Sequence, residues 1–335
     1  MDKTILGIDI SKKHFDVCLI HNDKEKYRKF ANDSSGFAKL GMFLQKEGVG
    51  ELHACMESTG RLYEQLAEHL AAQGHNVSVI NPKAIKGFGQ SEMQRTKTDK
   101  KDAGVIARFC QAHSPKLRLW QPHPVEIREP QEVMRYMDCL KTHVHQEERR
   151  LESGVTSDKV KTTAEKHIKE LKSTIETLHE WLRQHVKQHE RLRSHYELLK
   201  SIIGVGDMTA FTYLAEIGYS DRFKQTRKIE SFCGIAPKQH QSGSSVRGKE
   251  HISKVGNSRM RKALYMPALA ARDYNPVLRT FADRLEAAGK PPKVIICALM
   301  RKLLRIMYAV VSSETPFDPY HFPGPIEGMT FAEQD

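Results

Sequence analysis

The sequence predicts an α/β domain followed by a mainly helical remainder, an α/β plus α protein, on three observations. Apolar residues alternate with period two in short runs near the N-terminus. They recur at steps of three and four over most of the rest, and prolines cluster where one pattern gives way to the other. A chain of 335 residues is long enough for two or three domains with cores of their own.

Residues 4–10 and 15–20 are strand-like, and 26–30 completes a three-strand meander. Residues 34–46 read as a helix that begins at serine and stops at Gly48. Residues 51–57 alternate as a strand, 61–73 form an amphipathic helix ended by Gly74, and 76–80 form another strand. Pro82 opens an irregular, basic connection, and Thr98 caps a helix running to about His113. Three strands, helix, strand, helix, strand, helix is the order of a ribonuclease-H-like domain, placed at residues 1–115.

Four acidic residues stand out within that order. Asp9 lies in Gly7-Ile8-Asp9-Ile10-Ser11-Lys12 and Glu57 in Met56-Glu57-Ser58-Thr59-Gly60, each closing a strand-like run. Asp99 and Asp102, in Lys97-Thr98-Asp99-Lys100-Lys101-Asp102-Ala103, share one face of a helix's first turn. Taken singly, the last two suit a helix N-terminus and Asp9 suits a turn. As a set of four, such carboxylates repel unless a cation neutralises them, which points to Mg²⁺ held over a phosphodiester.

Residues 116–130 read as a linker, within a run from Ser114 that holds Pro115, Pro122, Pro124 and Pro130. Residues 131–197 read as a coiled-coil helical hairpin. One helix repeats at Val133, Met137, Leu140, Val144 and Leu151, Ser153-Gly154 breaks it, and a second repeats from Ile168 to Leu199. Taken as continuous from residue 164 to 200, that second helix spans roughly 55 Å. It suits an arm for dimerisation or for gripping a long partner, or a hairpin packed on itself. His185 and His189 fall in the same seam without a third metal ligand nearby.

Residues 198–316 form a further, mainly helical domain. It opens with a helix-hairpin-helix-like element at Ile203-Gly204-Val205-Gly206, where Gly204 and Gly206 would let backbone N–H groups approach a phosphate. An ordinary helix corner uses glycine in the same way. The loop 232–249 follows, with Ser242 beside Gly243 among basic residues, placed either as an exposed nucleophile or as a phosphate-binding hydroxyl. Amphipathic helices at 258–272 and 293–311 supply the core, and 317–335 reads as a flexible tail.

Composition narrows the class. Lys and Arg outnumber Asp and Glu by 53 to 41, a net +12. From Arg222 to Arg272 there are 12 basic residues against Glu230 and Glu250 alone. Interleaved with Gly and Ser, they suit contacts to nucleic-acid phosphates, with Lys238, Arg247, Lys249, Lys254, Arg259 and Arg261 as candidates. The six cysteines form no CxxC pair, which favours reduced thiols in a cytoplasmic protein over disulfides or a zinc site. No signal-peptide pattern precedes the first strand, and no apolar run reaches membrane-spanning length.

These motifs together resemble the DEDD transposases of bacterial insertion sequences, bridge-RNA-guided DNA recombinases. The box Lys97-Thr98-Asp99-x-x-Asp102-Ala103, the run Ser78-Val79-Ile80-Asn81-Pro82 and the loop Ser242-Gly243-Ser244-Ser245-Val246-Arg247-Gly248 carry the resemblance. It reaches from Gly7-Ile8-Asp9 to Pro316-Phe317-Asp318. It implies a RuvC-like first domain with Asp9, Glu57, Asp99 and Asp102 as the Mg²⁺-holding tetrad, and a transposase domain with Ser242 as the catalytic nucleophile. It further implies a covalent phosphoserine intermediate, a bridge RNA pairing with donor and target double-stranded DNA, and a homodimer or homotetramer. A Mg²⁺-dependent junction resolvase using water, or a non-catalytic RNA-binding protein, are the competing readings.

Overall fold

The computed structural model describes residues 4–58, 60–92, 99–219, 223, 225–238, 241–242, 246–247 and 251–320. The chain divides into two compact units, Met1–Pro122 and His123–Asp335.

The first unit contains β1 (Ile5–Ile10), β2 (His14–His21), β3 (Lys24–Ala31), α1 (Ser34–Lys46), β4 (His53–Glu57), α2 (Glu64–Ala72), β5 (Asn76–Ile80), α3 (Pro82–Ser91) and α4 (Asp99–His113). Its sheet has the order β3-β2-β1-β4-β5. β2 runs antiparallel to both its neighbours, whereas β1, β4 and β5 are parallel. That order and those directions are the ribonuclease-H-like arrangement expected.

Strand alternation divides the sheet's side chains between two cores. Leu6, Ile8, Ile10, Phe15, Val17 and Met56 pack with Phe37 and Leu40 of α1 and Leu66 and Leu70 of α2. The other face sets Ile5, Cys18, Ile20 and Cys55 against Ala103, Ile106, Ala107 and Cys110 of α4. The sequence reading made residues from Pro82 an irregular connection, and the structure corrects it to helix α3. The Asn81 side chain accepts from the Lys83 N–H at 2.9 Å and Pro82 takes the first helical position, where its missing donor costs nothing. Thr98, the expected cap of α4, lies outside the described residues.

The second unit contains α5 (Val125–Glu152), α6 (Asp158–Gln188), α7 (Glu190–Lys200), α8 (Asp207–Glu216), α9 (Thr226–Cys233), β6 (Pro237–Lys238), β7 (Gln241–Ser242), β8 (Val246–Arg247), β9 (His251–Ile252), α10 (Ser258–Ala263), α11 (Tyr265–Tyr274), α12 (Pro276–Ala287) and α13 (Pro292–Ser313). Helices α5 and α6 pack on each other as the expected hairpin. Its base shares one core with the helices that follow, from Ile127 and Met137 through Leu199 and Tyr213 to Leu303 and Phe317.

Four boundaries differ from the sequence reading, each for a local reason. The linker does not reach Pro130, because α5 begins at Val125 and Pro130 lies inside it, buried. Proline removes the N–H that would bond the Glu126 carbonyl, and His185 Nε2 donates to that carbonyl instead at 2.8 Å. The second arm helix is not continuous to Lys200: His189 adopts φ −113° and ψ 107°, separating α6 from α7. The helix expected over 258–272 turns at Leu264, where the chain leaves α10, and Pro267 sits in the first turn of α11. The tail does not start free at 317, since Phe317 is buried and its N–H donates to Ser201 Oγ at 2.8 Å. Residues 321–335 lie outside the described residues.

Candidate active site

Gly7 sets the geometry of the acidic site. A Cβ there would lie 2.3 Å from both the Ala103 carbonyl oxygen and the Ala107 nitrogen, so α4 rests directly on the β1 backbone. Only a residue without a side chain permits that approach. Asp9 follows two residues later on the same face, near the end of β1. On β4, His53 and Cys55 belong to the α4 side and Ala54 and Met56 to the other, so Glu57 also faces α4. The β1–β4 register pairs Ile8 with Met56, which places Asp9 and Glu57 side by side at the same edge. Asp102 precedes Ala103 in the first turn of α4 and Asp99 is that helix's first residue. Asp9, Glu57 and Asp102 are each half-buried. The structure therefore gathers the elements carrying all four acids at one end of the sheet.

Beneath them is a group the sequence reading passed over. His53, Cys55 and Cys110, all buried, bring their ligand atoms within 4.8 Å of one another. Ser78 Oγ donates to the Arg118 carbonyl at 2.9 Å and lies 2.8 Å from His53 Nε2, while Ser114 Oγ lies 2.9 Å from His53 Nδ1. Both ring nitrogens are thus engaged by hydroxyls, and the imidazole ties β4 to β5 and to the turn that follows α4. The hydrogen bond with the neighbouring Cys110, together with burial, pushes the Cys55 thiol well above its usual range, which keeps it protonated.

In the second unit, Ser242 ends β7, paired across the ladder with Val246 of β8. Lys238 lies in β6, opposite His251, and Arg247 in β8, opposite Gln241. Lys249 lies outside the described residues. Lys254 is exposed at φ 55°, its N–H donating to the Gly234 carbonyl at 3.0 Å. Arg261 is half-buried, with its guanidinium donating to the Cys233 carbonyl at 3.0 Å. Arg259 reaches Asp138 at 3.5 Å and the buried Glu216 at 3.9 Å. Both arginines thus brace the segment on which the loop is built.

The glycine turn also has a packing role. Gly204 has φ 98°, and a Cβ there would lie 2.9 Å from Ala271 Cβ, so the turn is pressed against α11. Gly206 is the N-cap of α8, and the helix's first residue is Asp207. The Lys200 ammonium, with Tyr196 and Arg183, holds the Asp207 carboxyl well below the usual range. An acid already occupies the first turn of this helix, which disfavours a phosphate there.

Two buried carboxylates escaped sequence reasoning. Glu230 lies between Arg301, 2.7 Å away, and Arg305, and Glu216 accepts from Asn257 Nδ2 at 2.6 Å. For Glu216 the signal was an acid flanked by apolar residues, in Leu214-Ala215-Glu216-Ile217. Among the described residues no helix is long and apolar enough to cross a membrane.

Comparison with known proteins identifies relatives along nearly the whole chain. A family model described as a transposase matches residues 6–157, and one described as transposase of the IS116/IS110/IS902 family matches residues 196–283. The pilin gene-inverting protein of Moraxella bovis is 34% identical over 321 residues, covering 95% of this chain and 98% of its own. A probable family 20 transposase of Pseudomonas aeruginosa is 25% identical, covering 95% of this chain and all of its own length. Among solved structures, T. thermophilus RuvC in complex with Holliday junction substrate covers 35% of this chain and 99% of its own at 11% identity and a TM-score of 0.27. The fold assignment rests on strand order and direction instead. The chain belongs to the IS116/IS110/IS902 family of transposases.

Proposed function

We propose that this transposase moves DNA by serine-dependent strand exchange under the guidance of a bridge RNA, with a Mg²⁺ site formed by Asp9, Glu57, Asp99 and Asp102. The observation that carries the reading is the packing at Gly7, which brings α4 and its acidic first turn against the strand that bears Asp9. The donor set fits a hard divalent cation, since the four candidate side chains offer only carboxylate oxygens. A bound Mg²⁺ would polarise a phosphoryl oxygen and offset the charge that develops there.

Ser242 supplies the nucleophile. Its Oγ bonds to phosphorus while the phosphodiester's bond to one deoxyribose oxygen breaks, and the proton passes to that leaving oxygen. The phosphoserine linkage retains the bond energy, so the hydroxyl end of a second strand reverses the step and leaves Ser242 free. Lys238, Arg247, Lys249 and Lys254 hold backbone phosphates, with Arg259 and Arg261 bracing them. Sequence choice falls to pairing between the RNA and donor or target DNA, while the protein reads backbone and shape. Support for nucleic-acid partners is the net charge of +12 and its concentration around this loop. The α5–α6 hairpin is the device for pairing copies into a dimer or tetramer.

The match to the pilin gene-inverting protein over 95% of the chain favours a second outcome of the same chemistry, inversion of a DNA segment between two sites. The metal assignment is tested by Asp9→Asn, Glu57→Gln, Asp99→Asn and Asp102→Asn in an RNA-supplied strand-exchange assay. Each is expected to abolish exchange while leaving RNA binding and the far-ultraviolet circular dichroism unchanged. Parental rates in any two of the four would rule the assignment out.

A further inference from the structure

Beyond the tetrad, the sheet carries a fifth carboxylate in the same row. Asp16 on β2 stands directly opposite Asp9 in the antiparallel β1–β2 ladder. On its other side it stands opposite Lys29 of β3. Alternation fixes the face. Ile5 pairs with Ile20, and Gly7 with Cys18, on the α4 side. Ile8 pairs with Val17, and Ile10 with Phe15, on the opposite side. Asp16 and Asp9 therefore share the α4 face, and with Glu57 beside Asp9 the row runs Lys29, Asp16, Asp9, Glu57 across four strands. The Asp16 side chain is 18% exposed and its carboxylate lies 3.4 Å from Lys29 Nζ, whose side chain is 53% exposed.

Like charges directly opposite on one face of an antiparallel pair work against the sheet. Opposed Cα atoms there are only about 4.5–5.5 Å apart. This sheet nevertheless sets Asp16 against Asp9 and places a lysine on its far side. A surface ion pair alone contributes little to stability, so the pair's consequence lies in the field it imposes on its neighbour. We propose that Asp16 and Lys29 are positioning residues that set the affinity of the Asp9–Glu57 site for its divalent cation without touching it. Asp16 adds negative potential at Asp9, and Lys29 determines how much of that charge the site feels. The inference rests on the metal reading above.

The two residues then have effects of opposite sign, which a merely structural cross-strand contact does not produce. Binding of Mn²⁺ to the full-length protein, followed by titration calorimetry and by the rise in melting temperature with added ion, reads them directly. Asp16→Asn is expected to weaken Mn²⁺ binding about three- to tenfold, the scale set by one unit charge at this separation in a partly hydrated site. Lys29→Met is expected to strengthen binding by a smaller factor, since its ammonium lies one strand further from Asp9 and is half exposed, and Lys29→Arg to retain the parental affinity. Asp9→Asn serves as the reference and is expected to remove binding. If Asp9→Asn removes binding while Asp16→Asn and Lys29→Met leave it unchanged or shift it in the same direction, the inference is overturned and the metal reading stands. Parental binding in Asp9→Asn overturns both.

Discussion

Replacing Gly7 by alanine tests whether the acidic site depends on the contact between β1 and α4. The added Cβ would fall 2.3 Å from the Ala103 carbonyl oxygen and the Ala107 nitrogen and 2.6 Å from Ala107 Cα. Non-bonded heavy atoms settle at about 3.5 Å, so α4 must withdraw by about 1 Å. The obstructing atoms are backbone, and no side-chain rotation relieves them. Overpacking of this kind costs about 1–3 kcal/mol, and three backbone contacts put Gly7→Ala at the upper end. For a unit of this size that is a fall in melting temperature of about 10 °C. The second consequence is catalytic. A displacement of about 1 Å between groups that act together costs about a hundredfold in rate, and here it separates Asp102 from Asp9. Differential scanning calorimetry and strand-exchange rates, both taken well below the lowered transition, measure the two effects. Wild-type stability together with wild-type exchange would show that α4 is not clamped on Gly7, and the site's geometry as described would fail.

Two further predictions concern the second unit. Neutralising Arg247, Lys249 and Lys254 together should flatten the plot of log affinity for RNA against log salt by up to about three units; an unchanged slope places the phosphate contacts elsewhere. Asp207 has a folded pKa below its unfolded value, chiefly through Lys200, so its contribution to stability is full above about pH 4 and fades as pH falls below that. Asp207→Asn should therefore lower stability at neutral pH and lessen its decline in the acid range, as equilibrium denaturation at pH 7 and pH 3 would show; equal losses at both values would refute the ion-pair account.

How much was legible in the sequence follows from the physics of each segment. The first unit's sheet was readable because β1, β2 and β4 are short apolar runs bounded by turn residues, with β1 and β4 buried on both faces, and Gly48 and Gly74 end helices with positive φ of 69° and 85°. The four acids stood out on different grounds, since each lies within one turn or one residue of an element's end. Asn81-Pro82 was misread because proline looks like a breaker unless the preceding asparagine is recognised as its cap. Pro130 was misread because its tolerance depends on His185, 55 residues away in sequence, supplying the lost hydrogen bond. Such compensation has no local signature. Gly204 was open to two readings, phosphate approach or an ordinary helix corner, and its close approach to Ala271 adds a packing reason that only the assembled helices reveal. The partners of Arg259 and Arg261 are likewise distant in sequence, so their share in bracing the loop could not be read from the charge run.

The most direct test of the central claim is a search for a covalent protein–DNA adduct. Reactions with RNA, Mg²⁺ and end-labelled donor and target DNA are quenched in detergent and resolved on denaturing gels. The parent should give a slow, protease-sensitive labelled band, and Ser244→Ala and Ser245→Ala should keep it. Ser242→Ala should lose both the band and recombination while assembling normally with RNA and DNA, because alanine removes the oxygen that attacks phosphorus. A band that persists in Ser242→Ala, or one that never appears while the parent exchanges strands, would contradict serine-dependent exchange and favour water-dependent cleavage at the acidic site.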